Sequence, residues 1–356
     1  LGVAIVSAGL LLLVYPLVQG RDLGWPAWTF ASMAASVLVL AAFAAWERRK
    51  KAADGSPLVD LALFRQRAFV AGLLVSAFLF MGIPAFFLTF TLWLQVGLGF
   101  SALHAGLTGV PFAVGSALAS TASVRLAPRL GRRILSLGTL LLAAGMGAVI
   151  LTVDRYGGGT HSWQLIPALA VCGLGLGCTV APLVNVVLAG IRGQDAGAAS
   201  GVLTTAQQVG GAVGVAVIGV IFFGLLSSQA AGVSADLAPR LDAGLRAAGL
   251  PAPASRQVVA GFRTCFQDRA SAKDPTAVPP SCQGLSGQGP GQERVGRVVA
   301  ATADLARGRT FSDAFQGTLL FEVAVFLLCL PLTFLLPDPR TQAPERAAPA
   351  GVAAGA

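Results

Sequence analysis

The sequence of 356 residues contains little charge, few acidic residues and very little histidine. Asp, Glu, Lys and Arg together make up 12% of it, about half of the roughly 25% that is usual in soluble domains. The two histidines, His104 and His161, lie in or beside predicted loops, and no carboxylate pair, metal-ligand spacing or nucleophile motif accompanies them. These shortages argue against an ordinary soluble domain, an enzyme and a metal site. No cofactor is expected.

Long apolar runs fill most of the chain instead. Hydrophobic residues account for 55% of the sequence, and the mean hydropathy is +0.74. A membrane-spanning helix needs about 20 mostly apolar residues. The predicted fold class is therefore an all-α polytopic membrane protein with eight transmembrane helices. The predicted spans are 1–19, 28–46, 68–96, 106–126, 134–153, 165–190, 197–226 and 315–337.

Basic residues collect at the ends of these runs. The formal net charge is +9, but the charges do not form a groove-binding surface, so nucleic acid is not an expected partner. Thirteen basic residues fall in the loops after the second, fourth and sixth runs and in the tail, against two, Arg21 and Arg155, in the short loops opposite. The positive-inside rule then places both chain ends in the cytoplasm.

The segment 227–313 differs from the rest in its mixed charge and is predicted to be extracytoplasmic. Residues 235–250 and 293–308 have the apolar spacing of two short amphipathic helices, with a Pro/Gly/Ser-rich stretch between them. Cys265 and Cys282 can form a disulfide in an oxidising exterior. Two unpaired thiols are the alternative.

Pairs of glycines four residues apart occur in the sixth and seventh runs. "CGLGLGC" contains Gly173 and Gly177, and the seventh run contains Gly210 and Gly214. Small residues at this spacing let membrane helices approach closely. The spacing favours helix packing over a phosphate-binding loop, which would need a strand before it.

Polar side chains within the spans are the candidates for a solute pathway. Gln207 and Gln208 fall near the middle of the seventh run, and two adjacent amides cannot share one helix face. They either line a polar pathway or hydrogen-bond between helices as structural contacts. The complete set of candidates is Thr89, Asn185, Thr204, Thr205, Gln207 and Gln208.

Three stretches resemble one family of transporters. "RLAPRLGRR" (125–133) resembles the cytoplasmic loop signature of the major facilitator superfamily. "LVDLALFRQRAFVAG" (58–72) and "DAGAASGVLTTAQQVGGAVG" (195–214) are similar to its 14-helix drug:proton antiporter branch, the EmrB/QacA type. The resemblance implies a cytoplasmic gating loop made of Arg125, Arg129, Gly131, Arg132 and Arg133.

The resemblance also implies a domain plan. Residues 1–46 would be the extra transmembrane pair of that branch, and 47–67 a cytoplasmic linker. Residues 68–226 would supply five helices of the C-terminal bundle, and 314–337 the sixth. A disordered cytoplasmic tail would follow at 338–356. The family's N-terminal six-helix bundle would precede Leu1 and would be this part's partner.

The implied function is proton-driven export of hydrophobic small molecules by alternating access, in the inner membrane of a bacterium. Its partners would be the solute, protons and the lipid bilayer. The energy source would be the proton gradient rather than a cofactor. The alternative is a membrane-embedded ligand-binding or regulatory module that does not transport.

Glu322 is an acidic residue inside the last run, about eight residues from its outer end. A charged side chain at the bilayer centre costs at least about 2.5–3.5 kcal/mol, so such residues usually face a cavity or a partner. Two interpretations stay open. Glu322 is either a proton-coupling site, or it reaches outward to pair with an arginine of the exterior segment.

Overall fold

The computed structural model describes residues 2–53, 58–188, 191–272, 278–282 and 292–336. The tail predicted to be disordered and most of the Pro/Gly/Ser-rich stretch lie outside these ranges. Within them the chain is helical and contains no strand. The helices are α1 (Gly2–Leu23), α2 (Ala27–Ala53), α3 (Arg67–Leu92), α4 (Ala102–Thr108), α5 (Val110–Leu130), α6 (Arg133–Tyr156), α7 (Ser162–Leu188), α8 (Ala196–Ala247), α9 (Ala252–Ser271) and α10 (Gln292–Thr333).

Eight candidate membrane spans occur among the described residues, as the apolar runs predict. The fourth run is built from two helices, because α4 ends at Thr108 and α5 begins two residues later. A π-helical turn, Trp93–Gly97, continues α3 at the end of the third span. The all-α, multi-pass architecture is therefore confirmed.

The segment 227–313 departs from its prediction. Its two amphipathic stretches are not separate short helices but continuations of α8, which is 52 residues long, and α10, which is 42. No proline lies between the apolar run and its extension in either helix, so each helix continues past the apolar run. Between them α9 forms a helix that was not predicted, although Val258, Phe262 and Phe266 are spaced at helical intervals along it.

The extensions of α8 and α10 pack with α9 into a helical cap (residues 227–271 and 293–313). The cap has its own core, formed by Val233, Leu237, Leu241, Leu245, Phe262 and Ala306. A disulfide joins Cys265 on α9 to Cys282, with Cα atoms 4.7 Å apart. The cap is thus a small folded unit at one end of the bundle.

Glycines set the closest helix contacts below the cap. α5 and α6 both pack on α7, and α3 packs on α8. A Cβ added at Gly173 would meet the carbonyl of Phe112, and one at Gly214 would meet that of Met81. These are glycines of the two predicted packing pairs, so the packing interpretation is confirmed.

The first two helices form a hairpin beside the other spans. The Ser32 hydroxyl donates to the Leu12 carbonyl at 2.9 Å, and the Ser36 hydroxyl donates to the Gly9 carbonyl at 2.7 Å. Such bonds hold membrane helices together where no water competes. The hairpin reaches the other helices chiefly where α1 packs along α8.

Candidate functional site

One face of α8 carries polar side chains that none of the described residues covers. Thr204 and Gln208 lie one turn apart on this face, and both are exposed. The Thr204 hydroxyl donates to the Ser200 carbonyl at 3.0 Å. The Gln208 amide makes no hydrogen bond to the part of the chain that the structure describes. An amide facing hydrocarbon without a partner is costly, so this polar face fits a protein partner or a water-filled space better than lipid.

Gln207 points the other way, into the joint between α8 and α3. Its Nε2 donates to the Ser76 hydroxyl at 3.1 Å. The close approaches of Gly210 to Ala77 and of Gly214 to Met81 follow along the same two helices. The two adjacent glutamines therefore separate, one inside a helix joint and the other on an uncovered surface. For Gln207 the structure therefore favours a hydrogen bond between helices over a place on the solute pathway.

The remaining pathway candidates do not lie on one face. Thr89 is fully buried, and its hydroxyl is 3.2 Å from the carbonyls of Ala85 and Phe86 on its own helix. It is enclosed by packing, as threonines in membrane helices commonly are. Thr205 is half-buried and donates to the Gly201 carbonyl at 2.9 Å. Asn185 is exposed on α7, so it stays a pathway candidate together with Thr204 and Gln208.

Glu322 is fully buried on α10. Neither carboxylate oxygen has a hydrogen-bond partner among the described residues. Its neighbours one turn away on the same helix, Thr318 and Phe326, are buried as well, and the Thr318 hydroxyl donates to the Ala314 carbonyl. The structure gives no support to outward pairing with an arginine.

The depth of Glu322 follows from two contacts on either side of it, one at Ser312 in the middle of α10 and one at Phe334 just after its end. The carbonyl of Phe334 accepts from Arg132 of the α5–α6 loop, and Ser312 accepts from the Trp93 indole at 3.0 Å. At 1.5 Å per residue, Glu322 lies about 18 Å from the first level and about 15 Å from the second. It is nearer the middle of the bundle than the apolar run predicts, because α10 continues beyond the outer end of that run.

The residues of the predicted gating loop lie around the turn between α5 and α6: Arg125 and Arg129 are in the last turns of α5, Gly131 and Arg132 form the turn, and Arg133 begins α6. Gly131 has φ +57° and its N–H donates to the Ala127 carbonyl at 2.8 Å, which ends α5 in a conformation that favours glycine. Arg132 Nη1 donates to the Phe334 carbonyl at 3.1 Å, and its guanidinium lies 5.7 Å from the Phe334 ring centroid. Arg125, Arg129 and Arg133 are exposed. Arg132 therefore ties this loop to the end of α10.

A carboxylate in the last two turns of α2 is buried, although the sequence does not predict it. Glu47 is 1% exposed, and its Oε2 accepts from the backbone N–H groups of Leu58 at 2.6 Å and Val59 at 3.2 Å. Nearby, Lys51 binds Asp60 at 2.7 Å and holds the pKa of that carboxyl below its usual value. These contacts fasten the segment after α2 to the helix. The sequence contains no signal for them beyond an acid before a basic cluster.

Residues 1–215 match the model of the Major Facilitator Superfamily. The chain belongs to this superfamily. The match covers α1 to the middle of α8 and so includes the α5–α6 loop and the polar face of α8. The resemblance seen in the three sequence stretches is thus confirmed at the level of the superfamily.

Curated relatives of this superfamily member carry exporter and resistance names. It is 40% identical over 338 residues to a "Probable actinorhodin transporter" of Streptomyces coelicolor, covering 94% of this chain and 58% of the relative. It is 32% identical over 232 residues to the "Puromycin resistance protein pur8" of Streptomyces alboniger, covering 65% and 45%. With the "Multidrug efflux pump LfrA" of Mycolicibacterium smegmatis the identity is 30% over 239 residues, covering 65% and 46%.

The chain spans about half the length of these relatives. The superfamily match and the exporter names confirm the prediction of a transporter-family protein rather than an enzyme. With eight candidate spans, this member is a multi-pass membrane protein.

Proposed function

We propose that the chain is the C-terminal part of a proton-coupled exporter of hydrophobic small molecules, of the 14-helix branch. The exporter and resistance names of the relatives support an efflux function. Their greater length supports a further bundle in the complete protein. The α1–α2 hairpin at the side of the six remaining spans fits the extra helix pair of that branch.

The observation that carries the proposal is the uncovered polar face of α8. Thr204 and Gln208 present a hydroxyl and an amide at a depth where lipid would leave the amide unsatisfied. A second bundle closing over this face would complete a polar-lined path near the midplane. Alternating access of that kind rocks one bundle against the other around a central site. The solute would then meet Gln208, Thr204 and Asn185.

Proton coupling is assigned to Glu322. Placing a charge on a buried carboxylate without partners costs free energy, so gain or loss of a proton there must accompany a change in its surroundings. α10 packs against α6, α8 and α3. A rearrangement of these helices in the transport cycle would supply that change.

The membrane assignment and orientation belong to the same proposal. The protein lies in the bacterial inner membrane with both chain ends in the cytoplasm, and the helical cap lies outside. The cap's disulfide supports this orientation, because disulfides persist in oxidising compartments. The Arg132 loop, at the other end of α10, would face the cytoplasm.

The test is efflux by the complete transporter with Gln208→Leu, using Gln207→Leu as the matched neighbour. Gln208→Leu is expected to reduce export of at least one substrate about tenfold while the amount and thermal stability of the protein stay unchanged. Gln207→Leu removes the hydrogen bond to Ser76. Its main expected effect is therefore a lower thermal stability rather than a loss of export. Normal export of every tested substrate by Gln208→Leu would contradict the proposal.

A further inference from the structure

A cavity lies between the helical cap and the spanning helices, away from the polar face of α8. It has a volume of about 120 Å³. Val96 of the π-helical turn and Leu226 of α8 form its floor, while α9 and α10 of the cap form its other walls. Dry apolar cavities of about 150 Å³ bind benzene. This cavity is somewhat smaller but open on one side, so a single ring can lie partly inside it with its substituent at the opening.

The charged side chains that line the cavity are both arginines. Arg269 of α9 and Arg307 of α10 contribute two positive charges, and no carboxylate is among the lining residues. The remaining wall is largely apolar and includes Phe266 and Phe311. The Thr310 hydroxyl donates to the Ala306 carbonyl at 2.9 Å, so it has no proton left to donate to a ligand. The donors free to face a ligand are therefore the guanidinium groups.

Arg307 lines this cavity, and its side chain is 39% exposed. Its Nη2 binds Asp304 at 2.9 Å, but its Nε is buried and has no hydrogen-bond partner among the described residues. Asp304 lies outside the cavity lining, and its side chain is 67% exposed. Buried polar groups almost always have a partner. Two guanidinium groups on one cavity without a lining carboxylate favour a ligand that carries negative charge.

Arg269, on the α9 wall of the cavity, supports the same occupant. It is exposed and forms no ion pair with the described residues. It also lines a neighbouring cavity of about 250 Å³ that reaches the Cys265–Cys282 disulfide. Cys265 lies one helical turn before Arg269, so the disulfide anchors this part of α9. The second guanidinium is thus presented from a cross-linked helix.

We propose that the cavity under the helical cap binds an aromatic organic anion. The ring lies against Phe266 and Phe311, and the anionic group accepts hydrogen bonds from the guanidinium groups of Arg307 and Arg269. Hydrogen bonds between guanidinium and carboxylate are among the strongest in proteins, and the apolar wall adds the burial of the ring. The site joins the cap to the end of α3 and does not depend on the transport proposal.

The experiment uses the full chain in lipid nanodiscs and observes three matched fluorinated probes by 19F NMR. The probes are 4-fluorobenzoate, 4-fluorobenzyl alcohol and 4-fluorobenzylamine, which share a ring and differ in charge. Empty nanodiscs give the contribution from lipid. We expect protein-dependent broadening of the 4-fluorobenzoate signal and at least tenfold weaker binding of the alcohol and the amine.

Two variants and one control locate the site. The double variant Arg269→Gln/Arg307→Gln is expected to weaken 4-fluorobenzoate binding at least tenfold, and Ala303→Phe is expected to block it by filling the cavity. Arg263→Gln removes an exposed arginine of α9 that lines neither cavity, and it is expected to bind as the parent does. Circular dichroism and thermal unfolding show that each variant is folded.

Three results would overturn the proposal. They are no protein-dependent broadening, equal binding of the anion and the amine, or loss of binding in Arg263→Gln as large as in the double variant. If the double variant loses anion binding while the complete transporter still exports normally, the site is separate from the transport path. A loss of export in Gln208→Leu does not bear on the anion site, because Gln208 does not line this cavity.

Discussion

The joint between α3 and α8 makes a quantitative prediction, because backbone approaches backbone there. A Cβ added at Gly214 would meet the carbonyl oxygen and carbon of Met81, the carbon at 2.7 Å. Gly210, one turn earlier, contacts Ala77 in the same way. Neither contact is with the end of a flexible side chain, so the clash at Gly214 is relieved only by moving one helix away from the other.

The substitution Gly214→Ala is expected to lower the free energy of unfolding. Overpacking of this kind costs about 1–3 kcal/mol. The matched control is Gly224→Ala on the same helix, where an added Cβ meets nothing within 4 Å. Alanine in a soluble helix is about 1 kcal/mol more favourable than glycine. Gly214→Ala should therefore lower the free energy of unfolding, whereas Gly224→Ala should leave it unchanged or raise it.

The assay is thermal unfolding of the purified protein in one detergent, followed by tryptophan fluorescence or by a dye that labels buried cysteines. Separation of the helices also stretches the bond from Gln207 to Ser76, which is 3.1 Å long. Gly214→Ala and Gln207→Ala are then expected to be less than additive. Equal stability of Gly214→Ala and Gly224→Ala would refute the packing argument.

Three further predictions concern single side chains. Glu322→Gln in the complete transporter is expected to abolish substrate-dependent proton movement in everted vesicles while the protein still binds substrate; unchanged proton movement would remove Glu322 from the mechanism. Arg132→Ala is expected to destabilise the protein by about 1 kcal/mol in thermal unfolding, since it loses a charge-assisted bond near the surface, whereas Arg133→Ala, which is exposed, should not. Lys51→Gln is expected to raise the pKa of Asp60 toward its usual value in an NMR titration, because the hydrogen bond from Lys51 is the main cause of the lowered pKa. The stability that this pair contributes is present above the ordinary pKa of an aspartate and is lost as the pH falls through the lowered value; an Asp60 titration unaffected by Lys51→Gln would contradict the assignment.

The sequence predicted the spans and their packing residues because both leave strong local patterns. Runs of about 20 apolar residues can satisfy their backbone only as helices in lipid, and glycines four apart mark a close helix contact. The same patterns did not predict the lengths of α8 and α10. The apolar run ends where the helix leaves the membrane, whereas the residues that follow still favour a helix. The patterns missed α9 as well, whose apolar spacing is short and lies in a polar segment.

The functional side chains were harder to place than the spans. The sequence marks Gln207 and Gln208 equally, as polar residues within an apolar run. Their different roles depend on how α8 is rotated about its axis, and the contacts of Gly210 and Gly214 with α3 fix that rotation. Thr89 was predicted as a pathway residue and is enclosed by packing, since its burial depends on helices distant in sequence. Glu47 lies near the end of α2 beside lysines and arginines. Its burial depends on the chain folding back after α2, so that the backbone N–H groups of Leu58 and Val59 donate to it.

The proposed transport path depends on the uncovered face of α8, and the accessibility of a cysteine on that face tests it most directly. Gln208→Cys and Gln207→Cys would be compared in the complete transporter with Cys172, Cys178 and Cys329 replaced. A water-soluble maleimide is expected to modify position 208, substrate is expected to slow that reaction, and position 207 is expected to stay protected. Lack of reaction at 208, or a rate there that substrate does not change, would mean that this face meets lipid or packed protein and does not line the transport path.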